Sequence, residues 1–190
     1  MQGRDKLLEV VEGVPLLRRQ VLAAHETGRP VVVLLPPNSE KRRAALDGLD
    51  VRTVEVTGAR EGLSATLKVA ASEAEGYSAL AVLLPDVPGM KADDIQRVLN
   101  VYEAQNSQFH DQRASFVCVR ATDTNGNPGT PIVFAPGMIE RLEELQGDEG
   151  ARRLLLGHSI LAVPFDDDRA TRDLDTPENW SAWRRENERK

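Results

Sequence analysis

The stretch Ala79-Leu80-Ala81-Val82-Leu83-Leu84-Pro85-Asp86-Val87-Pro88 decides the fold. Its first six residues are all apolar, without alternation. Such a run is typical of a strand buried on both faces of a mainly parallel sheet between helical layers. In open α/β sheets, ligands bind at the carboxyl ends of the strands, and Asp86 follows such an end. On this stretch alone, Asp86 is equally a turn-forming residue or a metal ligand.

Outward from this strand, helical and strand patterns alternate in both directions. The patterns predict strands at 30–35, 51–56, 79–84, 116–120, 131–134 and 160–164. They predict helices at 15–27, 39–47, 64–75, 92–102, 137–145 and 150–156 and from 177, and a turn at 125–129. Alternation of this kind predicts a three-layer α/β architecture. We expect residues 1–190 to form a single domain, since no linker or repeat divides them.

Composition and charge exclude several classes of function. The net charge is -6 and no basic cluster is present, which argues against a nucleic-acid partner. The apolar stretches have the length of strands, so no membrane span is predicted. The single cysteine, Cys118, lies in an apolar run and is expected in the core. With no signal segment at the start of the chain, we expect a cytoplasmic protein.

The two ends of the chain carry charged residues that could form a site with Asp86. The segment Gly3-Arg4-Asp5-Lys6-Leu7-Leu8 is typical of the tail of a phosphate-binding loop, although an ordinary solvated turn would have the same composition. Asp173 and Asp175, here called the C-terminal aspartates, are expected on one face of an extended segment. One of them and Asp86 could hold Mg²⁺, which usually binds one or two carboxylates plus substrate phosphates. The alternative is a charged helix cap, with Thr176 as the cap residue.

Two weaker signals precede predicted helices. Gly62 and Ser64 stand where free N–H groups favour an anion or a nucleotide edge, but Ser64 could simply cap the helix. Arg152 follows a glycine-rich turn and could bind a phosphate or lie in solvent. His25, His110 and His158 have no zinc-ligand spacing. No Gly-x-Ser-x-Gly elbow for acyl transfer is present.

Seven blocks of the sequence together carry a family resemblance. They are Asp5-Lys6-Leu7-Leu8, Gly13-Val14-Pro15-Leu16-Leu17, Glu61-Gly62-Leu63-Ser64-Ala65-Thr66-Leu67, Pro85-Asp86-Val87-Pro88, Gly129-Thr130-Pro131-Ile132-Val133-Phe134, Gly147-Asp148-Glu149-Gly150-Ala151-Arg152 and Asp173-Leu174-Asp175-Thr176-Pro177-Glu178. In this order they resemble the molybdenum-cofactor cytidylyltransferases, within the molybdopterin nucleotidyltransferase-like family. The resemblance covers nearly the whole chain.

The resemblance implies a Rossmann-like nucleotide-diphospho-sugar transferase fold with a mostly parallel mixed sheet. It also implies a nucleotidyl transfer reaction. In that reaction the terminal phosphate of a molybdopterin-type cofactor attacks the α-phosphate of CTP, Mg²⁺ assists, and pyrophosphate leaves. Related proteins use GTP, and the product would pass to a recipient molybdoenzyme. The implied roles are catalysis by Lys6 and Asp86, metal binding by Asp86 and Asp175, nucleotide binding by Lys6, Gly62, Ser64 and Thr66, and substrate binding by Arg152 and Asp173.

The sequence departs from the family at two places. Family members begin with a buried strand that leads into Leu-Ala-Ala-Gly-x-Ser-x-Arg-Met-Gly, and Met1 falls at the methionine of that motif. We therefore expect Met1 to be an internal methionine of a longer protein and transfer by residues 1–190 to be impaired. The rival hypothesis is a non-catalytic module that binds or delivers the molybdopterin cofactor. Thr130 stands where many relatives have histidine, which bears on substrate recognition.

Overall fold

The structure, a computed structural model, describes residues 5–59, 62–108, 118–147 and 151–187, with the backbone alone at 108, 152 and 187. The strands are β1 (Val10–Val11), β2 (Val14–Pro15), β3 (Val32–Leu35), β4 (Arg52–Glu55), β5 (Leu80–Val82), β6 (Cys118–Thr122), β7 (Pro128–Phe134) and β8 (Ile160–Pro164). The α-helices are α1 (Leu16–His25), α2 (Glu40–Ala45), α3 (Leu63–Glu73), α4 (Ala92–Gln108), α5 (Pro136–Arg141), α6 (Arg152–Leu155) and α7 (Pro177–Asn187). Short 3-10 turns lie at Lys6–Leu8 and Leu142–Glu144.

The main sheet is mixed and has the strand order β5-β7-β6-β8. Strand β7 runs antiparallel to both of its neighbours, whereas β6 and β8 are parallel. Strands β5, β6 and β8 therefore share one direction. Together with the alternating helices, this sheet confirms the predicted α/β class.

Strands β3 and β4 form a separate parallel pair, with Val32 opposite Arg52 and Leu35 opposite Glu55. Among the described residues, β3 pairs only with β4 and β5 only with β7, so each keeps one unpaired edge. Ala81 is exposed and Leu84 is 41% exposed. The prediction that the run 79–84 is buried on both faces is wrong at these positions, because β5 is an edge strand.

Several boundaries differ from those predicted, and two of the differences have a clear physical cause. Strand β5 ends at Val82 rather than at residue 84, because the β7 residue beyond the last pair is Pro131, which has no N–H to donate. The turn predicted at 125–129 lies earlier. The Asp123 carboxylate accepts hydrogen bonds from the backbone N–H groups of Asn125 and Asn127, and β7 already begins at Pro128. An Asx turn therefore determines this connection.

A short hairpin that the sequence analysis did not predict connects the first residues to α1. Strands β1 and β2 pair at Val11 and Val14, across a turn in which Glu12 and Gly13 have φ of 51° and 82°. The backbone N–H of Leu16 donates to the carbonyl of Glu9 at 2.9 Å, which fixes the start of α1. This bond ties the segment that follows Lys6 to the start of α1.

The core contains three packed clusters. One joins α1, β3 and the C-terminal helix α7, whose Trp180 and Trp183 are buried in it. The other two lie against the main sheet, one centred on Phe134 and one on Val119. Cys118 is fully buried in the sheet, and burial raises the pKa of its thiol to about 11. Among the described helices, none is long and apolar enough to cross a membrane.

Candidate active site

Lys6 lies in a tight turn that Asp5 begins. The Asp5 side chain caps the 3-10 turn Lys6–Leu8 by accepting a hydrogen bond from the backbone N–H of Leu7 at 3.1 Å. Leu7 is buried in the core, which anchors the turn. A capped turn with a buried anchor restricts the directions available to the Lys6 side chain.

Arg42 of α2 fixes Asp5 from the other side. Its Nε lies 2.7 Å from Asp5 Oδ2 and its Nη2 lies 3.0 Å from Asp5 Oδ1, a two-point contact between guanidinium and carboxylate. Partial burial alone would raise the pKa of Asp5, but the hydrogen bond and charge of Arg42 outweigh burial and lower it. The turn that carries Lys6 is therefore tied to α2.

The Lys6 ammonium joins carboxylates from two distant segments. Its Nζ lies 2.7 Å from Asp86 Oδ2, and it also forms an ion pair with Asp175. Desolvation would lower the pKa of Lys6, but the hydrogen bonds and charges of Asp175 and Asp86 outweigh it, so the pKa is raised. Lys6 lowers the pKa of Asp175 in return. The cation is therefore firmly protonated at neutral pH.

The segment that carries the C-terminal aspartates is docked beside Asp86. The backbone N–H of Leu174 donates to the Asp86 carbonyl at 3.3 Å, and the Leu174 side chain is fully buried. The aspartates on either side of Leu174 are exposed. The segment then enters α7, where the Thr176 hydroxyl accepts from the backbone N–H of Asn179 at 3.2 Å, as predicted for a cap.

The site carries more negative than positive charge. Desolvation and the charges of Asp175 and Asp86 raise the pKa of Asp173 above its ordinary value, against the opposing charge of Lys6. Among the described residues, no group of three or more His, Cys, Asp or Glu side chains has the geometry of a complete metal centre. Two convergent carboxylates with excess negative charge fit Mg²⁺ or Mn²⁺ binding in which substrate phosphates and water complete the coordination.

A cavity of about 660 Å³ opens at the carboxyl end of β3 and reaches Asp5, the residue before Lys6. It is lined by Asp5, Leu8, Leu34, Pro36, Pro37, Asn38, Ser39, Glu40, Lys41, Arg42, Ala59 and Thr66. Asn38 has φ of 58°, a left-handed conformation that asparagine tolerates better than most residues. The position agrees with the rule that ligands bind beyond the carboxyl ends of strands.

The predicted nucleotide-binding residues of α3 lie in different environments. Gly62 precedes the helix with φ of 122°, and Thr66 lines the cavity. Ser64 is only 3% exposed, and its hydroxyl donates to the carbonyl of Gly147 rather than capping α3. Arg152 is the first residue of α6, and its side chain lies outside the described part of the chain.

Three residues at the site received no role in the sequence analysis. Arg42 and Asn38 follow β3, and the strand-end rule that singled out Asp86 applies equally to them. Thr130, which was noted only as a departure from the family, has a buried hydroxyl that accepts from the backbone N–H of Leu84 at 3.0 Å. No sequence signal marks that contact, because 46 positions separate the two residues.

Several solved structures resemble nearly the whole chain. Rv0371c from Mycobacterium tuberculosis H37Rv superposes with a TM-score of 0.76 at 23% identity, over 95% of this chain and 90% of its own. A nucleotidyl transferase from Methanothermobacter thermautotroptrophicus gives 0.76 at 19% identity, with 97% and 85% covered. CMP:2-keto-3-deoxy-manno-octonic acid synthetase, solved with CTP, gives 0.70 at 10% identity, with 97% and 92% covered. These likenesses confirm the predicted nucleotide-diphospho-sugar transferase type of fold.

The family is shown by sequence. No curated protein sequence is a significant match for the chain. Residues 1–162 match the family described as the MobA-like NTP transferase domain. That match spans Lys6, Asp86 and the whole main sheet except the last residues of β8. The chain therefore belongs to the MobA-like NTP transferase domain family.

Proposed function

We propose that this protein transfers CMP from CTP to the terminal phosphate of a molybdopterin-type cofactor and releases pyrophosphate. The observation that carries the proposal is the contact of the Lys6 ammonium with both Asp86 and Asp175. One cation and two carboxylates converge there, and a cavity of about 660 Å³ reaches Asp5, the residue before Lys6. The matched family is one of NTP transferases, which supports this class of reaction.

The proposed chemistry needs charge neutralisation and positioning more than a protein nucleophile. The attacking phosphate monoester is mostly dianionic at neutral pH, since its second pKa is about 6. It therefore needs no general base. Lys6 would bind the nucleotide phosphates and neutralise the charge that builds on the leaving pyrophosphate. Its raised pKa keeps this charge in place.

Asp86 and Asp175 would hold the Mg²⁺. When bound, the metal ion would supply Lewis-acid neutralisation of the phosphate oxygens. Rv0371c, which has the same fold, has also been solved in complex with manganese, at 22% identity and a TM-score of 0.72 over 93% of this chain and 89% of its own. Lys6, which lies between the two carboxylates, would move toward the phosphates as they enter.

The cavity would receive the nucleoside part of the substrate. Thr66 lines it, and the start of α3 at Gly62 would lie along the nucleotide. Ser64 would act there through its bond to Gly147, which fixes the first turn of α3. Arg152 and Asp173 would bind the molybdopterin-type cofactor.

The choice of CTP over GTP rests on the family resemblance and on a structural neighbour solved with CTP. We further propose a single domain over residues 1–190, a cytoplasmic location and a molybdoenzyme as recipient of the product. No nucleic acid takes part, in keeping with the net charge of -6.

Pyrophosphate release tests this proposal. Purified protein is mixed with Mg²⁺ and either CTP or GTP, with and without the molybdopterin cofactor. We expect pyrophosphate only with CTP and cofactor together. Release with GTP and cofactor, but not with CTP and cofactor, would show that GTP is the substrate. Cofactor binding without any release would favour the carrier module over the transferase.

A further inference from the structure

The Thr130 side chain makes hydrogen bonds to the backbone of β5 at the point where the β5–β7 ladder stops. The last pair of the ladder is Val82 with Ile132, and the next β7 residue, Pro131, has no N–H. The Thr130 hydroxyl accepts from the backbone N–H of Leu84 at 3.0 Å and donates to the carbonyl of Val82 at 3.3 Å. A hydroxyl can do both at once. The side chain therefore fixes the chain two residues before the proposed metal ligand.

The backbone of Thr130 contacts the other half of the site. Its N–H donates to the Ala170 carbonyl at 2.9 Å. This close approach requires glycine at position 129, since a Cβ on Gly129 would lie 2.3 Å from the Ala170 oxygen. Four residues after Ala170, the N–H of Leu174 bonds to the Asp86 carbonyl. Thr130 therefore contacts both segments that carry the aspartates of the site.

These contacts form a closed circuit. It runs from the Thr130 hydroxyl through Leu84 to Asp86, from Asp86 through Leu174 to Ala170, and from Ala170 back to the Thr130 N–H. Like-charged carboxylates repel one another, so a site that brings them together needs such support from the surrounding structure. Thr130 itself is only 3% exposed and lies in the sheet.

We propose that Thr130 is a positioning residue that fixes the separation between Asp86 and the C-terminal aspartates. Its consequence for metal binding rests on the proposed function. Residues that hydrogen-bond a metal ligand typically change metal affinity about 10- to 100-fold when they are mutated. Thr130 bonds the backbone of Leu84, two residues before Asp86, so we expect an effect at the lower end of that range. The hydroxyl, rather than the size of the side chain, is the group that matters.

The test compares Thr130→Val, which removes the hydroxyl at nearly constant shape, with Thr130→Ser, which keeps it. Thr122→Val, at another buried threonine of the same sheet, is the control for loss of stability. Backbone amide exchange is measured at Leu84 and Leu174, with Val56 beside the separate β3–β4 pair as the reference. The affinity for Mn²⁺ is measured on the same proteins by electron paramagnetic resonance.

We expect Thr130→Val to speed exchange at Leu84 and Leu174 about tenfold more than at Val56, the effect of one lost hydrogen bond. Mn²⁺ binding should weaken about tenfold. Thr130→Ser should stay close to wild type in both. The proposal is overturned if Leu174 exchange and Mn²⁺ affinity in Thr130→Val change no more than in Thr122→Val. Wild-type protein that fails to bind Mn²⁺ would contradict the proposed metal site, and amide exchange alone would then decide the role of Thr130.

Discussion

The Lys6 ammonium lies 2.7 Å from the Asp86 carboxylate, although 80 positions separate the two residues. One belongs to a turn near the start of the chain and the other follows the edge strand β5. A lysine held between two carboxylates stays protonated. The carboxylates neutralise its positive charge until a polyanion such as a nucleoside triphosphate binds.

Replacing Lys6 with glutamine should weaken transfer far more than folding. A hydrogen bond to a charged group contributes about 1.5–3 kcal/mol, so kcat/KM should fall roughly 10- to 100-fold. The free energy of unfolding should fall by less than about 1 kcal/mol, because the ion pairs are partly exposed. Lys68→Gln, at an exposed position on α3, is the matched control. Equal losses in both variants would argue against a specific role for Lys6.

Arg42→Gln should act through Lys6. Loss of the two-point contact with Asp5 frees the turn, and a small misplacement of a catalytic group can cost about 100-fold in rate. We expect kcat/KM to fall about tenfold or more, whereas Arg43→Gln, whose side chain contacts Thr53 and Glu55 instead, should change it little.

A double variant separates this role of Arg42 from a direct contact with substrate. If Arg42 only positions Lys6, Arg42→Gln should have little further effect in protein that already carries Lys6→Gln. Steady-state kinetics of the two single variants and the double variant measure this directly. Fully additive losses would contradict the positioning role.

Asp173→Asn should stabilise the protein at neutral pH. Because partial desolvation and the charges of Asp175 and Asp86 raise the pKa of Asp173, its ionised form costs stability. That cost is absent at low pH and appears as the pH rises from 3.8 through the higher pKa of the folded state. We expect a gain of less than about 1 kcal/mol at pH 7 and none near pH 3. Urea unfolding at both pH values checks this, with the exposed Asp50→Asn as control.

Asp123→Asn should have the opposite pH dependence. The Asn127 side chain, the backbone N–H groups of Asn127 and Asn125, and Thr171 lower the pKa of Asp123, although partial desolvation opposes them. This stabilisation is present above 3.8 and is lost as the pH falls through the lower pKa of the folded state. The variant should have a lower urea midpoint at pH 7. Its urea midpoint should also fall less steeply than that of wild type as the pH is lowered, which is called here the acid limb. An acid limb identical to that of wild type would contradict this.

The sequence predicted the elements that have strong local signals. Unbroken apolar runs located β3 and β5, and the Thr176-Pro177 pair located the start of α7. Local patterns did not predict the ends of elements that depend on long-range contacts or that lack apolar periodicity. The end of β5 depends on Pro131 across the sheet, and α4 continues to Gln108 through a polar stretch without apolar periodicity.

The site was predicted in the same uneven way. Lys6, Asp86 and Asp175 were predicted to form one site, since the family resemblance places them together, and the structure brings them into contact. The contacts that support them, Asp5 with Arg42 and Thr130 with Leu84, join residues 37 and 46 positions apart. Their residue types are ordinary, so only the folded chain identifies them.

Magnesium-dependent pyrophosphate release by Asp86→Asn tests the central claim most directly. The variant keeps the shape of the side chain but loses the negative charge that would hold the metal ion. Asp166→Asn, at a side chain that is 91% exposed, is the matched control. The account predicts that transfer falls to background in Asp86→Asn and stays at the wild-type level in Asp166→Asn. Unchanged turnover in Asp86→Asn would remove Asp86 from the metal site and contradict the account.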